Sequence, residues 1–235
     1  MKMQTGAELE NQTNPQKKTS ANLWFVGVYA IAMAYIESAS VVYLRRVYNI
    51  TDLTASISRF DPQIGSVELG RELATLIMLL AIGWTAGKHF QSRLGFTFFA
   101  FGLWDIFYYF WLKVFINWPA SFLDIDILFL LPLPWWGPVL APLLIAVLMV
   151  LGGAWAVIRE EEGYKFQLKP VEWVCLVSGL VILLYTFMAD ALAALPADAQ
   201  TLSNLKPTSF HWTIYMVGFA LTANAVWRAT SKRLS

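Results

Sequence analysis

Charged residues are scarce in this chain, and histidine and cysteine are scarcer still. Asp, Glu, Lys and Arg make up 14% of its 235 residues, against roughly 25% in a typical soluble domain. Two His and one Cys are too few for a histidine-rich metal site or an intramolecular disulfide. A net charge of +1 offers no basic face to nucleic acid. With no nucleotide-binding or hydrolase motif present either, we expect no metal, no cofactor and no nucleic-acid partner.

Apolar residues are abundant instead, and they are gathered into long runs. They make up 57% of the chain, and about 20 consecutive apolar residues are enough for a helix to cross a bilayer. The sequence predicts an all-α, polytopic membrane bundle of about six transmembrane helices within residues 22–229. The predicted spans lie near 22–44, 69–88, 94–116, 137–158, 171–194 and 210–229.

The two ends of the chain are polar. Residues 1–21 lack the apolar centre of a signal peptide and are expected to form a disordered cytoplasmic tail. Residues 230–235 form a second predicted cytoplasmic tail. If both termini are inside, eleven of the seventeen Lys and Arg residues lie in inner segments and six in outer ones, which favours a plasma (inner) membrane protein with both termini cytoplasmic. The pair Arg45 and Arg46, directly after the first span, argues for the reverse orientation.

A proline-rich segment precedes the fourth span. Residues 120–142 are apolar, but Pro132, Pro134 and Pro138 interrupt them. Because proline lacks the backbone N–H and clashes with the preceding turn, this segment cannot be one straight helix. Irregular backbone is not tolerated where it faces lipid. We therefore expect an interfacial or re-entrant segment packed against the bundle.

Several ionisable residues fall inside the predicted spans, where each costs about 2.5–3.5 kcal/mol at the bilayer centre. Glu37 lies in the outer third of the first span, and Asp105 lies near the midplane of the third. With the termini inside, the set concentrates in the middle and outer layers of the membrane. The candidate residues for binding a ligand or proton are Glu37, Glu68, Arg71, Glu72, Asp105, Tyr108, Tyr109, Lys113 and Asp190.

Helical spacing places these residues on shared faces. Glu68, Arg71 and Glu72 follow the i, i+3, i+4 pattern of one face. Asp105 is followed at three, four and eight residues by Tyr108, Tyr109 and Lys113. Carboxylates from three helices beside tyrosine hydroxyls would form a buried network of the kind that a proton carrier or general acid uses.

Three hypotheses follow, and the sequence leaves them open. The first is an outward-facing polar site for an ion or small polar solute, favoured by an excess of acids over bases in the outer half. The second is an intramembrane enzyme that acts on a lipid or amphiphile at the outer leaflet, with basic residues holding a headgroup. The third is a structural or assembly subunit, in which the charges pair completely and leave no cavity. The expected partners are the lipid bilayer and an ion, proton or lipid headgroup.

Overall fold

The computed structural model describes residues 15–47, 62–129, 133–196 and 209–231. This part of the chain is helical except for one short pair of strands. The elements are α1 (Pro15–Val47), α2 (Pro62–Ala86), α3 (Phe90–Ile116), β1 (Ile125–Phe129), β2 (Trp135–Pro138), α4 (Leu140–Glu161), α5 (Pro170–Ala193) and α6 (Trp212–Ser231).

Five of these helices, α1 to α5, are long and apolar enough to cross a membrane. They carry many large apolar side chains on their outer faces, such as Trp24 and Phe25, each 70% exposed. A helix that is apolar on its outside as well as its inside is typical of a membrane span. The described chain therefore fits a multi-pass integral membrane protein.

The helix boundaries differ from the predicted ones at both ends of the chain. α1 begins at Pro15 and so includes residues that the sequence analysis assigned to a tail, while residues 1–14 lie outside the described chain. The predicted sixth span coincides with α6, a 20-residue helix that is not among the five candidate spans. The final residues 232–235 and the connection 48–61 also lie outside the described chain.

α3 lies at the centre of the bundle, where it packs against α1, α2 and α4, while α5 packs against α6. Small residues allow the close approach of α3 and α4. A Cβ atom on Gly153 would lie 2.5 Å from the carbonyl oxygen of Gly95, and one on Gly102 would lie 2.4 Å from that of Ala146. Small residues at such positions allow the backbones of two membrane helices to approach each other this closely.

The proline-rich segment forms a hairpin, which the all-α prediction missed. β1 pairs antiparallel with β2, with Ile125 opposite Pro138 and a register shift between Ile127 and Phe129. The alternating isoleucines and aromatic residues favour extended backbone, and the prolines exclude a continuous helix. Trp136 of β2 is only 4% exposed because the hairpin packs against the helices.

The hairpin defines one end of the bundle, called here the hairpin end. The last turn of α1 also lies there, since the Arg45 guanidinium sits 4.7 Å from the ring centre of Trp118, directly after α3. Asn22 near the start of α1 donates a 3.2 Å hydrogen bond to the carbonyl oxygen of Ala86 at the opposite end. α1, α2 and α3 therefore alternate in direction, as successive spans of a membrane bundle do.

Candidate functional site

A cavity of about 240 Å³ lies near the hairpin end, between the helices and the hairpin. A cavity of about 150 Å³ in another protein is large enough to bind benzene, so this one has room for a small molecule. Its walls come from α1, α2, α3, α4, α5 and both strands.

Seven of the nine candidate residues line this cavity. They share a position on the inner faces of the first three helices, which pack together through α3. These seven are Glu37, Glu68, Arg71, Glu72, Asp105, Tyr108 and Tyr109. The sequence spacing placed them on helix faces, and the packing of α1 and α2 around α3 brings the faces together.

The other two candidates do not line the cavity. Lys113 lies in the last turn of α3, where its Nζ donates a 2.8 Å hydrogen bond to the carbonyl oxygen of Pro119. It therefore closes the end of the helix, where a positive charge also complements the helix dipole. Asp190 lies near the end of α5, outside the cavity wall.

One side of the cavity is an ion-pair cluster between α1 and α2. Arg71 forms an ion pair with Glu37, and its Nε and Nη2 donate hydrogen bonds of 2.9 and 2.7 Å to Oε2 of Glu68. Thr75 donates to the second oxygen of Glu37 at 3.2 Å. Both carboxylates are buried, and a buried charge is tolerated in the membrane when it is paired in this way.

A second polar group joins α3 to the hairpin. The Tyr109 hydroxyl donates a 3.1 Å hydrogen bond to Oδ2 of Asp126, and both side chains are buried. Burial raises the pKa of Asp126 to about 6, although the nearby Arg45 and the hydrogen bonds from Tyr109 and the Ile127 backbone act in the opposite direction. Asp126 is thus a buried carboxyl group that can exchange a proton near neutral pH.

Asp105 and Tyr108 differ from these paired groups. Both side chains line the cavity, yet neither has a hydrogen-bond or ion-pair partner among the described residues. Asp105 also faces electrostatic repulsion from Asp126. A carboxylate and a hydroxyl, one turn apart on α3, are therefore left to interact with whatever occupies the cavity.

Three nitrogen donors in the cavity wall also lack a partner. They are Nε of Arg45 and the indole Nε1 of Trp104 and Trp135, and within the described chain none of them donates a hydrogen bond. A buried donor without a partner costs about 1–3 kcal/mol, and such groups are uncommon in folded proteins. Because these donors surround one cavity, the described residues do not supply hydrogen-bond acceptors for all the polar groups of its wall.

Sequence reasoning missed several residues of this wall. Asp126 lies on a strand of the hairpin, so helical spacing could not identify it. Arg45 was interpreted mainly as evidence on the orientation of the chain in the membrane. Trp104 and Trp135 carried no signal that separated them from the other nine tryptophans. Among the described residues, no group of three or more His, Cys, Asp or Glu is arranged to hold a metal ion.

No family model matches this chain, and neither does any curated protein or solved structure. The cavity and its surroundings are therefore the features from which a function can be inferred.

Proposed function

We propose that this protein is a plasma-membrane protein with six spanning helices, and that its cavity is an outward-facing site for an ion or small polar solute. α6 is proposed as the sixth span because its 20 residues, at 1.5 Å each, reach about 30 Å. It also packs closely on α5, where a Cβ on Gly218 would lie 3.0 Å from the carbonyl oxygen of Gly179. Six spans place both termini on one side, and the Lys and Arg distribution favours the cytoplasm.

The observation that carries the proposal is the contrast between Asp105 and the ion-pair cluster. Arg71, Glu37 and Glu68 satisfy one another, as a purely structural cluster would. Asp105 instead borders empty volume with no partner in the described part of the chain. A structural subunit would gain nothing from an unpaired carboxylate inside a membrane span, where its insertion is costly.

Native mass spectrometry on protein extracted directly from its membrane tests for a bound solute. The Asp105→Asn variant keeps the size of the side chain and removes its charge, and Asp124→Asn is the matched control outside the cavity. We expect a retained small molecule on the wild type and the control, with at least about a tenfold lower occupancy on Asp105→Asn.

For an ion, the same variants are compared by thermal unfolding in sodium, potassium and N-methylglucamine chloride. Equal behaviour of all three proteins in both measurements would sink the proposal.

An intramembrane enzyme acting on a lipid or amphiphile is the second candidate function. The observation in its favour is that α4 and α5 contribute only apolar side chains to the cavity, namely Pro142, Ile145, Ala146, Met149 and Phe187. An apolar wall opposite the carboxylates suits the chain of an amphiphile, with Asp105 placed for acid-base work. Lipid analysis after deletion of the gene tests this candidate. A substrate should accumulate, and complementation with the wild type but not with Asp105→Asn should remove it.

A further inference from the structure

The cavity wall is divided between polar and apolar helices. α1 and α2 contribute its ion-pair cluster, α4 and α5 contribute only apolar side chains, and α3 lies between them with Asp105 and Tyr108. A ligand that fills the cavity must therefore meet polar groups on one side and hydrocarbon on the other. This division points to a molecule with a polar end and an apolar body rather than to a fully polar solute.

The charge of the wall limits the polar end of such a ligand. Five carboxyl groups, Glu37, Glu68, Glu72, Asp105 and Asp126, line the cavity with two arginines. Arg71 is already paired with Glu37 and Glu68, and Arg45 stacks on Trp118. Nε of Arg45 still lacks an acceptor among the described residues. Five carboxyl groups against two guanidinium groups nevertheless make the wall acidic, so the entry of a phosphate or carboxylate is electrostatically unfavourable.

The hydrogen-bonding groups of the cavity wall restrict the polar end of the ligand further. Asp105 needs a donor when it is ionised, and the Tyr108 hydroxyl can either donate or accept a hydrogen bond. The indole N–H groups of Trp104 and Trp135, in the same wall, have no acceptor within the described ranges and are donors only. An ammonium group or a bare cation cannot accept a hydrogen bond. A hydroxyl group can both donate and accept.

We infer that the cavity binds a neutral amphiphile, whose hydroxyl group lies between Asp105 and Tyr108 and whose apolar chain lies against Ile145, Met149 and Phe187. This inference rests on the part of the proposal that makes the cavity a ligand site. It replaces the ion or polar solute of that proposal by an amphiphile, the ligand class of the second candidate function, and makes that amphiphile neutral. The cavity volume of about 240 Å³ suits a short-chain molecule of this kind.

Photolabelling with a matched series of eight-carbon probes tests the inference. Each probe carries a diazirine on its chain, and the polar ends are a hydroxyl, an ammonium and a carboxylate. The full-length protein is labelled in lipid nanodiscs, and the modified peptides are located by mass spectrometry. We expect the octanol probe to label peptides that contain Asp105 or Met149, and excess unlabelled octanol to prevent the labelling.

Two tyrosine variants test the hydrogen bond. Tyr108→Phe keeps the ring and removes the hydroxyl, and Tyr185→Phe makes the same change on a side chain that is 48% exposed outside the cavity. Loss of one hydrogen bond should raise the half-saturating concentration of the octanol probe about 3- to 10-fold in Tyr108→Phe. Tyr185→Phe should label like the wild type.

The outcomes separate the inference from the proposal on which it rests. Stronger cavity labelling of the wild type by the ammonium or carboxylate probe would overturn the neutral class and leave the cavity as a ligand site. Equal octanol labelling of Tyr108→Phe and the wild type would overturn the role of Tyr108 alone. Absence of cavity labelling by all three probes would overturn both the inference and the binding of an amphiphile. The probe series uses only the wild type, so it decides the ligand class even if a variant does not fold.

Discussion

Arg71 of α2 forms an ion pair with Glu37 of α1. Its Nη2 also lies 2.7 Å from Oε2 of Glu68 on its own helix. One guanidinium thus joins two spans and pairs with two buried carboxylates in the wall of the cavity. Removing it would leave both acids without their cation in a region of low dielectric constant. The cluster and Asp105, which has no partner among the described residues, line the same cavity, so the cluster helps to hold the site together.

Replacing Arg71 by Met should destabilise the protein by about 3 kcal/mol, because it leaves buried carboxylates without a partner. The double variant Glu37→Gln with Arg71→Met should recover part of that loss, since one of the two acids is then neutral. Reversible unfolding in mixed micelles measures the change in the free energy of unfolding for the single and double variants. Additive losses would show that the two residues are not coupled.

Replacing Gly102 by Ala should force α3 and α4 apart. Its Cβ would lie 2.4 Å from the carbonyl oxygen of Ala146 and 3.0 Å from the backbone nitrogen of Val150. Overpacking of this kind costs about 1–3 kcal/mol, and the cavity would also change because Ala146 lines it. Gly70→Ala is the matched control, since a Cβ there meets no atom of the described part of the chain within 4 Å. The control should be neutral or slightly stabilising, as the helix propensity of alanine predicts. A loss as large in Gly70→Ala would refute the packing explanation.

The carboxyl group of Asp126 should make the free energy of unfolding depend on pH. Its pKa is about 6 in the folded protein and 3.8 as the reference for the unfolded chain. Between these values the folded state holds the proton that the unfolded state loses, so the stability should fall as the pH rises from about 4 to 6 and level off above. Thermal unfolding across this range should show the slope in the wild type and lose most of it in Asp126→Asn. An unchanged slope in that variant would assign the effect to other groups.

Tyr109→Phe should extend the pH-dependent change in the free energy of unfolding to a higher pH. The hydrogen bond from the Tyr109 hydroxyl stabilises the ionised form of Asp126 and lowers its pKa. Its loss should move the upper limit of the stability change to a higher pH. The same thermal unfolding series measures it, with Tyr185→Phe as the control because that residue lies outside the cavity.

Cysteine labelling tests the orientation. Ser121→Cys places a thiol in the exposed turn at the hairpin end, and Gly163→Cys places one in the turn after α4. Both are made with Cys175→Ser, which removes the native thiol. In intact cells a membrane-impermeant maleimide should label Ser121→Cys, and Gly163→Cys should react only after the cells are opened. The opposite pattern would mean that the cavity faces the cytoplasm, as Arg45 and Arg46 suggested.

The sequence alone determined the membrane class and the helix faces. Long apolar runs leave a chain few stable choices in lipid other than helices, and the regular spacing of a helix places Glu68, Arg71 and Glu72 on one face. The same spacing placed Asp105 beside Tyr108 and Tyr109. Local chemistry was sufficient for these conclusions because each concerns residues within one turn or one span.

Which helix faces meet depends on contacts between residues that are distant in the sequence. The packing of α1 and α2 around α3 gathered seven candidate residues at one cavity and left Lys113 and Asp190 outside. The hairpin then added Asp126 and Trp135 to the wall, although its strands were predicted as an irregular segment. Contacts between residues distant in sequence depend on how close two backbones can come, as at Gly102 and Gly153, and helical periodicity contains no information on that distance.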